Sequence, residues 1–349
     1  MDRTTYGLDI VKNVMQLHWV DGETGEIGRR KLGRAKLSEF FAQMQPARVA
    51  MEACGSAHHW ARVLGALGHQ VELLPARQVR AFVRSNKDDA ADARAIWLAA
   101  QQSDIRRAPV KTVEQQAVMS LHRARSHWVS VRTATVNALR GLLYEFGVVL
   151  RGGRKAGLEA LAEQRAAIDE QIPAPMRALV DGQLQTLAQI GERIDALEQQ
   201  IAALQKQLEG ARKLDQVPGI GVLGSTALAA TLGDGRAWRS GREFSASLGL
   251  VPAHAGTGGK VRIGHLSKRG DPYLRTLLIH GARSVIEHAK TKPRWLEQLL
   301  ARRPKNVAVV ALANKMARTA WALIAHSRAY QRDWQSVRPG SAAAQAAGA

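Results

Sequence analysis

Between residues 187 and 208 the apolar side chains Leu187, Ile190, Ile194, Leu197, Ile201, Leu204 and Leu208 are spaced alternately three and four apart. An α-helix gathers that spacing onto one face, whereas a strand would scatter it over two. Three heptads predict a long helix with a coiled-coil seam. Residues 112–147 also read as helical, with Arg123, Arg125, Arg132 and Arg140 set among apolar positions. The seam therefore serves either a hairpin with that segment or a zipper with a second copy, as a homodimer or homotetramer. RGGRKAG (151–157) reads as a flexible break between them.

The chain before this region has a different period. TYGLDI (5–10) and VMQLHWV (14–20) alternate apolar and polar residues and predict half-buried strands, with a third near 27–32. A helix near 36–44, a strand in RVAMEA (48–53), a helix at 57–67 and a strand at 69–75 follow, then helical material from 76. Three meandering strands followed by alternating helix and strand describe an α/β unit with a mixed sheet, the order of a ribonuclease-H-like fold. The last third opens at VPGIGVLGSTALAATLGD (217–234) and reads as mostly helical, ending in a low-complexity tail. The predicted organisation is 1–110, 111–212, 213–335 and a disordered tail at 336–349.

Charge is distributed unevenly. The 349 residues carry a formal net charge of +20, and residues 211–349 hold 22 Lys/Arg against 7 Asp/Glu. A polyanion gripped through its phosphates accounts for such a concentration. A membrane surface fits less well, because no amphipathic basic helix accompanies the charge and the apolar run VAVVALA (307–313) is too short to span a bilayer. The start lacks a basic stretch followed by a long apolar run, and Cys54 is the single cysteine. A reducing cytoplasm is the expected setting.

Against this basic background the acids of NKDDAADARAIWLAA (86–100) stand out. Asp89 and Asp92 are three apart and share a helix face, while Asp88 suits the first turn or the N-cap. Capping alone explains such a cluster in isolation. Asp9, however, lies inside an apolar strand and Glu52 inside another, and burying an unpaired carboxylate costs several kcal/mol. Brought to one sheet edge, Asp9, Glu52, Asp89 and Asp92 would offer hard oxygen ligands to Mg²⁺. Two such ions about 4 Å apart suit in-line phosphoryl transfer. Cys54, two residues beyond Glu52, reads as a packed thiol.

The densest basic signal is GLVPAHAGTGGKVRIGHLSKRGDPYLR (249–275). Lys260, Arg262, Lys268, Arg269 and Arg275 face one acid, Asp271. Asp271-Pro272 has the form of an N-cap followed by proline at the first helical position, which would set SKRG beside a helix N-terminus. Thr257 sits among glycines and cations, where its hydroxyl could attack a phosphodiester; a plain glycine turn is the alternative. Gly219 and Gly221 of PGIG resemble a helix-hairpin-helix turn that presents backbone N–H groups to phosphate, or else a simple interhelical turn. His254 and His265 flank the cassette.

GLDI, AMEACG and KDDAADARAI, with VPGIG…ALAATLGD, FSASLGLVP and GGKVRIGHLSKRGDPYLRTLLIHGAR, together resemble the DEDD transposases of bacterial insertion sequences, the one-ten group and its eleven-eleven branch. The resemblance spans about residues 5–330. It implies a RuvC-like amino-terminal domain, a coiled-coil linker and a mostly helical carboxy-terminal transposase domain. It also implies Mg²⁺-dependent DNA recombination guided by a structured RNA from the element, called bridge or seeker RNA. The matching positions make Asp9, Glu52, Asp89 and Asp92 the metal ligands. The family's nucleophilic serine falls at Thr257, which keeps the hydroxyl but adds a β-methyl that restricts χ1. Nucleic-acid contacts are expected at Lys260, Arg262, Lys268, Arg269, Arg275, Gly219, Gly221, Arg123 and Arg132. The rival readings are a structure-specific nuclease that activates water and a non-catalytic basic binder.

Overall fold

A computed structural model describes residues 4–83, 89–258 and 260–331. The chain divides into two compact units, Met1–Gln116 and Ala117–Ala349.

The first unit is built on β1 (Thr5–Ile10), β2 (Val14–Val20), β3 (Ile27–Gly33), α1 (Leu37–Ala42), β4 (Arg48–Glu52), α2 (Ala57–Ala66), β5 (Gln70–Leu74), α3 (Ala76–Val79) and α4 (Asp89–Ala100). Its five strands lie in the order β3-β2-β1-β4-β5. The first three pair antiparallel, and β1 with β4 and β4 with β5 pair parallel. This is the mixed sheet the alternation predicts. Each face of the sheet has its own apolar layer, as alternating side chains require. Leu8, Leu17, Val49, Met51, Phe41, Trp60 and Leu64 pack with α1 and α2 on one side. Ala50 and Leu74 pack with Ala95, Ile96 and Ala99 of α4 on the other. Beside this layer Glu72 takes bidentate hydrogen bonds from Arg48, at 2.7 and 2.9 Å, and a third from Arg107 at 2.6 Å. Burial pushes the Glu72 carboxyl up, but the two guanidinium groups outweigh it and hold the pKa below the ordinary value.

The chain continues through α5 (Val113–Tyr144), α6 (Arg154–Glu163), α7 (Arg165–Gln171), α8 (Ala174–Gln207) and α9 (Glu209–Asp215). The heptad seam lies within α8, and its Leu187, Ile190, Ile194 and Ile201 are buried inside a single chain. Arg125 of α5 bonds Glu198 of α8 at 2.7 Å, Arg193 covers Trp128, and Leu187 shares a core with Val136 and Leu139. Rising numbers on one helix meet falling numbers on the other, so α5 and α8 are antiparallel. Within the chain the seam is thus shared: its start lies against α5, and Leu204 and Leu208 pack on the carboxy-terminal core. The expected break at 151–157 is shorter than the sequence implies, because residues 154–157 already belong to α6. The seam also stops one residue early: Leu208 is extended and ends the helix.

The remainder holds α10 (Val222–Leu232), α11 (Gly241–Ser247), β6 (Pro252–Thr257), β7 (Lys260–Leu266), α12 (Pro272–His288), α13 (Arg294–Arg302) and α14 (Lys305–Ala325). It is mostly helical as expected, with one β-hairpin that the glycine content of 249–275 concealed. Phe244, Leu274, Leu278, Val309, Leu312 and Met316 are among the residues of its core. At 21 residues α14 outruns the short apolar run seen in sequence and is long and apolar enough to cross a bilayer. It is nonetheless the central core helix here, with Ala308, Ala313, Ala317 and Ala320 buried at close helix contacts. A buried His122 ties this core together, bonding the Tyr273 hydroxyl at 2.7 Å and the Thr226 hydroxyl at 3.0 Å. Burial, reinforced by Arg125, lowers its pKa to about 4.

Candidate active site

The parallel register pairs Leu8 with Met51, so Asp9 and Glu52, one step further along both strands, reach the same sheet edge. Adjacent strands are about 4.8 Å apart, which fixes the backbones at that separation. Side-chain alternation places Asp9 on the face of Gly7, and Glu52 on the face of Ala50. Both belong to the face that α4 covers, since Ala50 packs with Ala95 and Ile96.

Gly7 sets how closely α4 can approach. A Cβ at this position would lie 2.7 Å from the Trp97 nitrogen and 2.8 Å from Trp97 Cβ, with the Ala93 carbonyl oxygen nearer still. The helix backbone therefore rests directly on the strand, and Asp92, next to Ala93, is carried over the carboxylate edge. The electrostatics report the outcome. Burial, and after it the Asp92 charge, raises the Glu52 pKa above the usual carboxylate value. The Cys54 thiol is raised by burial, then by Glu52 and Asp9. Asp9, Glu52 and Asp92 are all half-buried. Three of the four predicted acids are thus neighbours. Asp89 opens α4, one helical turn before Asp92, and its side chain lies outside the described residues, as does the whole of Asp88. Among the described residues no three Asp, Glu, His or Cys side chains form a ready-made metal cage.

The basic cassette is a two-stranded arm. Thr257 pairs with Lys260 across the end of the β6–β7 hairpin, and Gly258 turns the corner with φ +57°. Thr257, Lys260 and Arg262 are exposed, as are Lys268 and Arg269 in the segment that follows. Asp271 is the expected N-cap, its Oδ1 accepting from the Tyr273 N–H at 2.8 Å and the Leu274 N–H at 3.3 Å. Arg275 is instead turned inward, where one guanidinium N–H donates to the Leu248 carbonyl at 2.9 Å.

The remaining predicted contacts divide in the same way. Arg123 is exposed on α5. Arg132 is half-buried, its Nε has no hydrogen-bond partner among the described residues, and burial with Arg154 and Arg125 nearby lowers its pKa. Gly221 is open at the start of α10, whereas Gly219 (φ +88°) packs against α12, with Gly281 and Met316 2.9 Å from any added Cβ. Residue-type reasoning missed Gly7; its signal is a side-chain-free position two residues before a strand carboxylate.

Two family models cover these regions: one for the transposase of DEDD type in IS110 elements matches residues 6–147, and one described as the transposase IS116/IS110/IS902 family matches residues 211–298. A protein of Pseudomonas aeruginosa named "Probable family 20 transposase" is 48% identical over 95% of this chain and 99% of its own length. The transposase for insertion sequence element IS1111A of Coxiella burnetii is 37% identical over 93% and 90%, and that for IS1328 of Yersinia enterocolitica 35% over 94% and 99%. These matches define an insertion-sequence transposase, an enzyme that moves DNA and therefore binds it. The chain belongs to the IS110 family, with its IS1111 relatives.

Proposed function

We propose that the protein is an RNA-guided recombinase of its insertion sequence, using a RuvC-like carboxylate site and a hydroxyl nucleophile to cut and rejoin DNA. The observation that carries this reading is the convergence of Asp9, Glu52 and Asp92 at one sheet edge. Burial and mutual repulsion already resist ionisation of Glu52 there. A divalent cation relieves that repulsion, and an all-carboxylate set is the donor chemistry Mg²⁺ prefers. Asp9, Glu52, Asp89 and Asp92 would hold the metal, two ions in the fullest form. When bound, Mg²⁺ would neutralise charge on the scissile phosphate.

The chain's own residues supply the rest. Thr257 Oγ attacks phosphorus, forming an O–P bond as the bond from phosphorus to the leaving nucleotide oxygen breaks. The hydroxyl proton passes to solvent or a nearby base, and the departing oxygen is protonated. The phosphothreonine ester conserves the bond for rejoining, when a DNA hydroxyl displaces Thr257. Lys260, Arg262, Lys268 and Arg269 hold phosphates, and a guide RNA encoded by the element chooses the sequence, so the protein needs backbone contacts more than base readout.

The test compares Thr257→Ser and Thr257→Ala with wild type on DNA carrying the element ends, RNA supplied. Wild type and Thr257→Ser form a denaturation-resistant protein–DNA adduct and Thr257→Ala does not. An adduct with the alanine protein would contradict the assignment. Strand cleavage without any adduct would favour metal-activated water.

A further inference from the structure

The second unit contains a groove of about 2380 Å³ whose lining includes neither the carboxylates nor the hairpin arm. It is bounded by the end of α12, α13, α14, the start of α11 and the segment after α14. Among the described residues, seven Lys and Arg line it and no Asp or Glu does. Arg242, Lys290, Arg294, Lys315 and Arg318 are among them, and Trp295, Trp321 and Tyr330 stand between the cations.

Two of the rings are held in place. The Lys315 ammonium lies 4.5 Å from the Trp295 ring centroid. The Trp321 indole N–H donates to the Gly235 carbonyl at 3.0 Å, and its ring meets His326 edge-on at 5.2 Å. Desolvation, and then repulsion from Arg318, hold the Lys315 pKa below its ordinary value. Positive charge concentrated in a lining that holds no acid calls for a polyanion. Charge alone would suit a duplex, whose outer surface is phosphate. Partly exposed aromatic rings in the lining suit bases that are free to stack, and a duplex keeps its bases paired. Gln216 and Thr319, also in the lining, can exchange hydrogen bonds with a ribose 2′-hydroxyl.

We propose that this groove seats a single-stranded stretch of RNA, with phosphates on Arg242, Lys290, Arg294 and Arg318 and bases against Trp295 and Trp321. This gives the guide RNA a binding site, and its biological role rests on the reading above.

The experiment measures binding of full-length protein to a labelled single-stranded RNA of roughly 15 nucleotides, to DNA of the same sequence, and to duplex DNA, over a range of salt. The doubly substituted Arg294→Glu/Arg318→Glu protein, checked for an unchanged melting profile, loses at least about tenfold in RNA affinity. Its salt dependence becomes shallower by about 1.4, or about 0.7 for each phosphate that is no longer neutralised. Ultraviolet crosslinking then places RNA on the peptides holding Trp295 or Trp321. RNA affinity within about twofold of wild type, crosslinks confined to other peptides, or equal affinity for single-stranded DNA would each overturn the proposal. Glu52→Gln keeps the same RNA affinity while losing the adduct, so failure of the groove and failure of the catalytic reading give different results.

Discussion

Replacing Gly7 by alanine tests how the carboxylates are brought together. The new methyl carbon would stand 2.7 Å from the Trp97 nitrogen and 2.8 Å from Trp97 Cβ, where ordinary contact begins at 3.4 Å. Backbone cannot rotate away as a side-chain end can, so α4 must lift from β1 by roughly 0.7 Å or more. Overpacking of this kind costs about 1–3 kcal/mol of stability. The effect on reaction is larger, because Asp92 rides on the displaced helix and a misplacement near 1 Å costs about 100-fold in rate. The assay is adduct formation at saturating Mg²⁺, paired with thermal denaturation. A folded Gly7→Ala protein should react about two orders of magnitude more slowly. Activity within about threefold of wild type, in a protein that folds normally, would refute the idea that close strand–helix approach positions Asp92.

Other perturbations separate stability from chemistry. Glu52→Gln removes a carboxylate whose pKa is raised in the folded state, so without divalent ions it should melt no lower than wild type above the carboxylate range while forming no adduct. Ionisation of Glu52 costs the fold stability as pH rises past its unfolded value, so the difference in melting temperature should grow in that direction; a loss of stability at neutral pH would argue against the crowding. His122 behaves oppositely: its pKa is about 4 folded, against 6.5 for the ordinary side chain, so stability is lost as pH falls from 6.5 towards 4. The loss reaches about 3 kcal/mol, and His122→Gln should flatten that part of the urea-denaturation profile. Glu72→Gln leaves Arg48 and Arg107 without their shared counter-charge and should cost about 2–4 kcal/mol by chemical denaturation.

The first unit was legible because its signals are local. Alternation in TYGLDI and VMQLHWV marks strands wherever one face is buried, and β1, β2 and β5 fall within a residue of the expected limits. Asp9 and Glu52 were legible for a related reason, since an acid inside an apolar strand needs an explanation that a loop acid does not. Their meeting at one sheet edge was expected from residue type; what brings Asp9, Glu52 and Asp92 together was not legible, because it depends on the register between β1 and β4 and on the depth to which α4 descends over Gly7. The hairpin at 252–266 escaped because its glycines and exposed cations lack the alternation of a half-buried strand; both its faces are largely open. Arg275 illustrates a further limit. Charge in a basic cassette suggests phosphate, yet this guanidinium satisfies the Leu248 carbonyl. The cations and tryptophans of the groove are spread over some ninety positions, from Arg242 to Tyr330, and only the packing of α11–α14 brings them together.

Identification of the residue joined to DNA decides whether the Thr257 hydroxyl and the carboxylate edge act in one reaction. The protein, its RNA, Mg²⁺ and a DNA substrate that traps the covalent species are combined, denatured and digested, and the nucleotide-bearing peptide is sequenced by mass spectrometry. The expected product is a phosphoester on Thr257, formed by wild type and absent from Glu52→Gln and Asp92→Asn. A linkage to another residue, or one that persists undiminished in those carboxylate variants, would contradict that assignment.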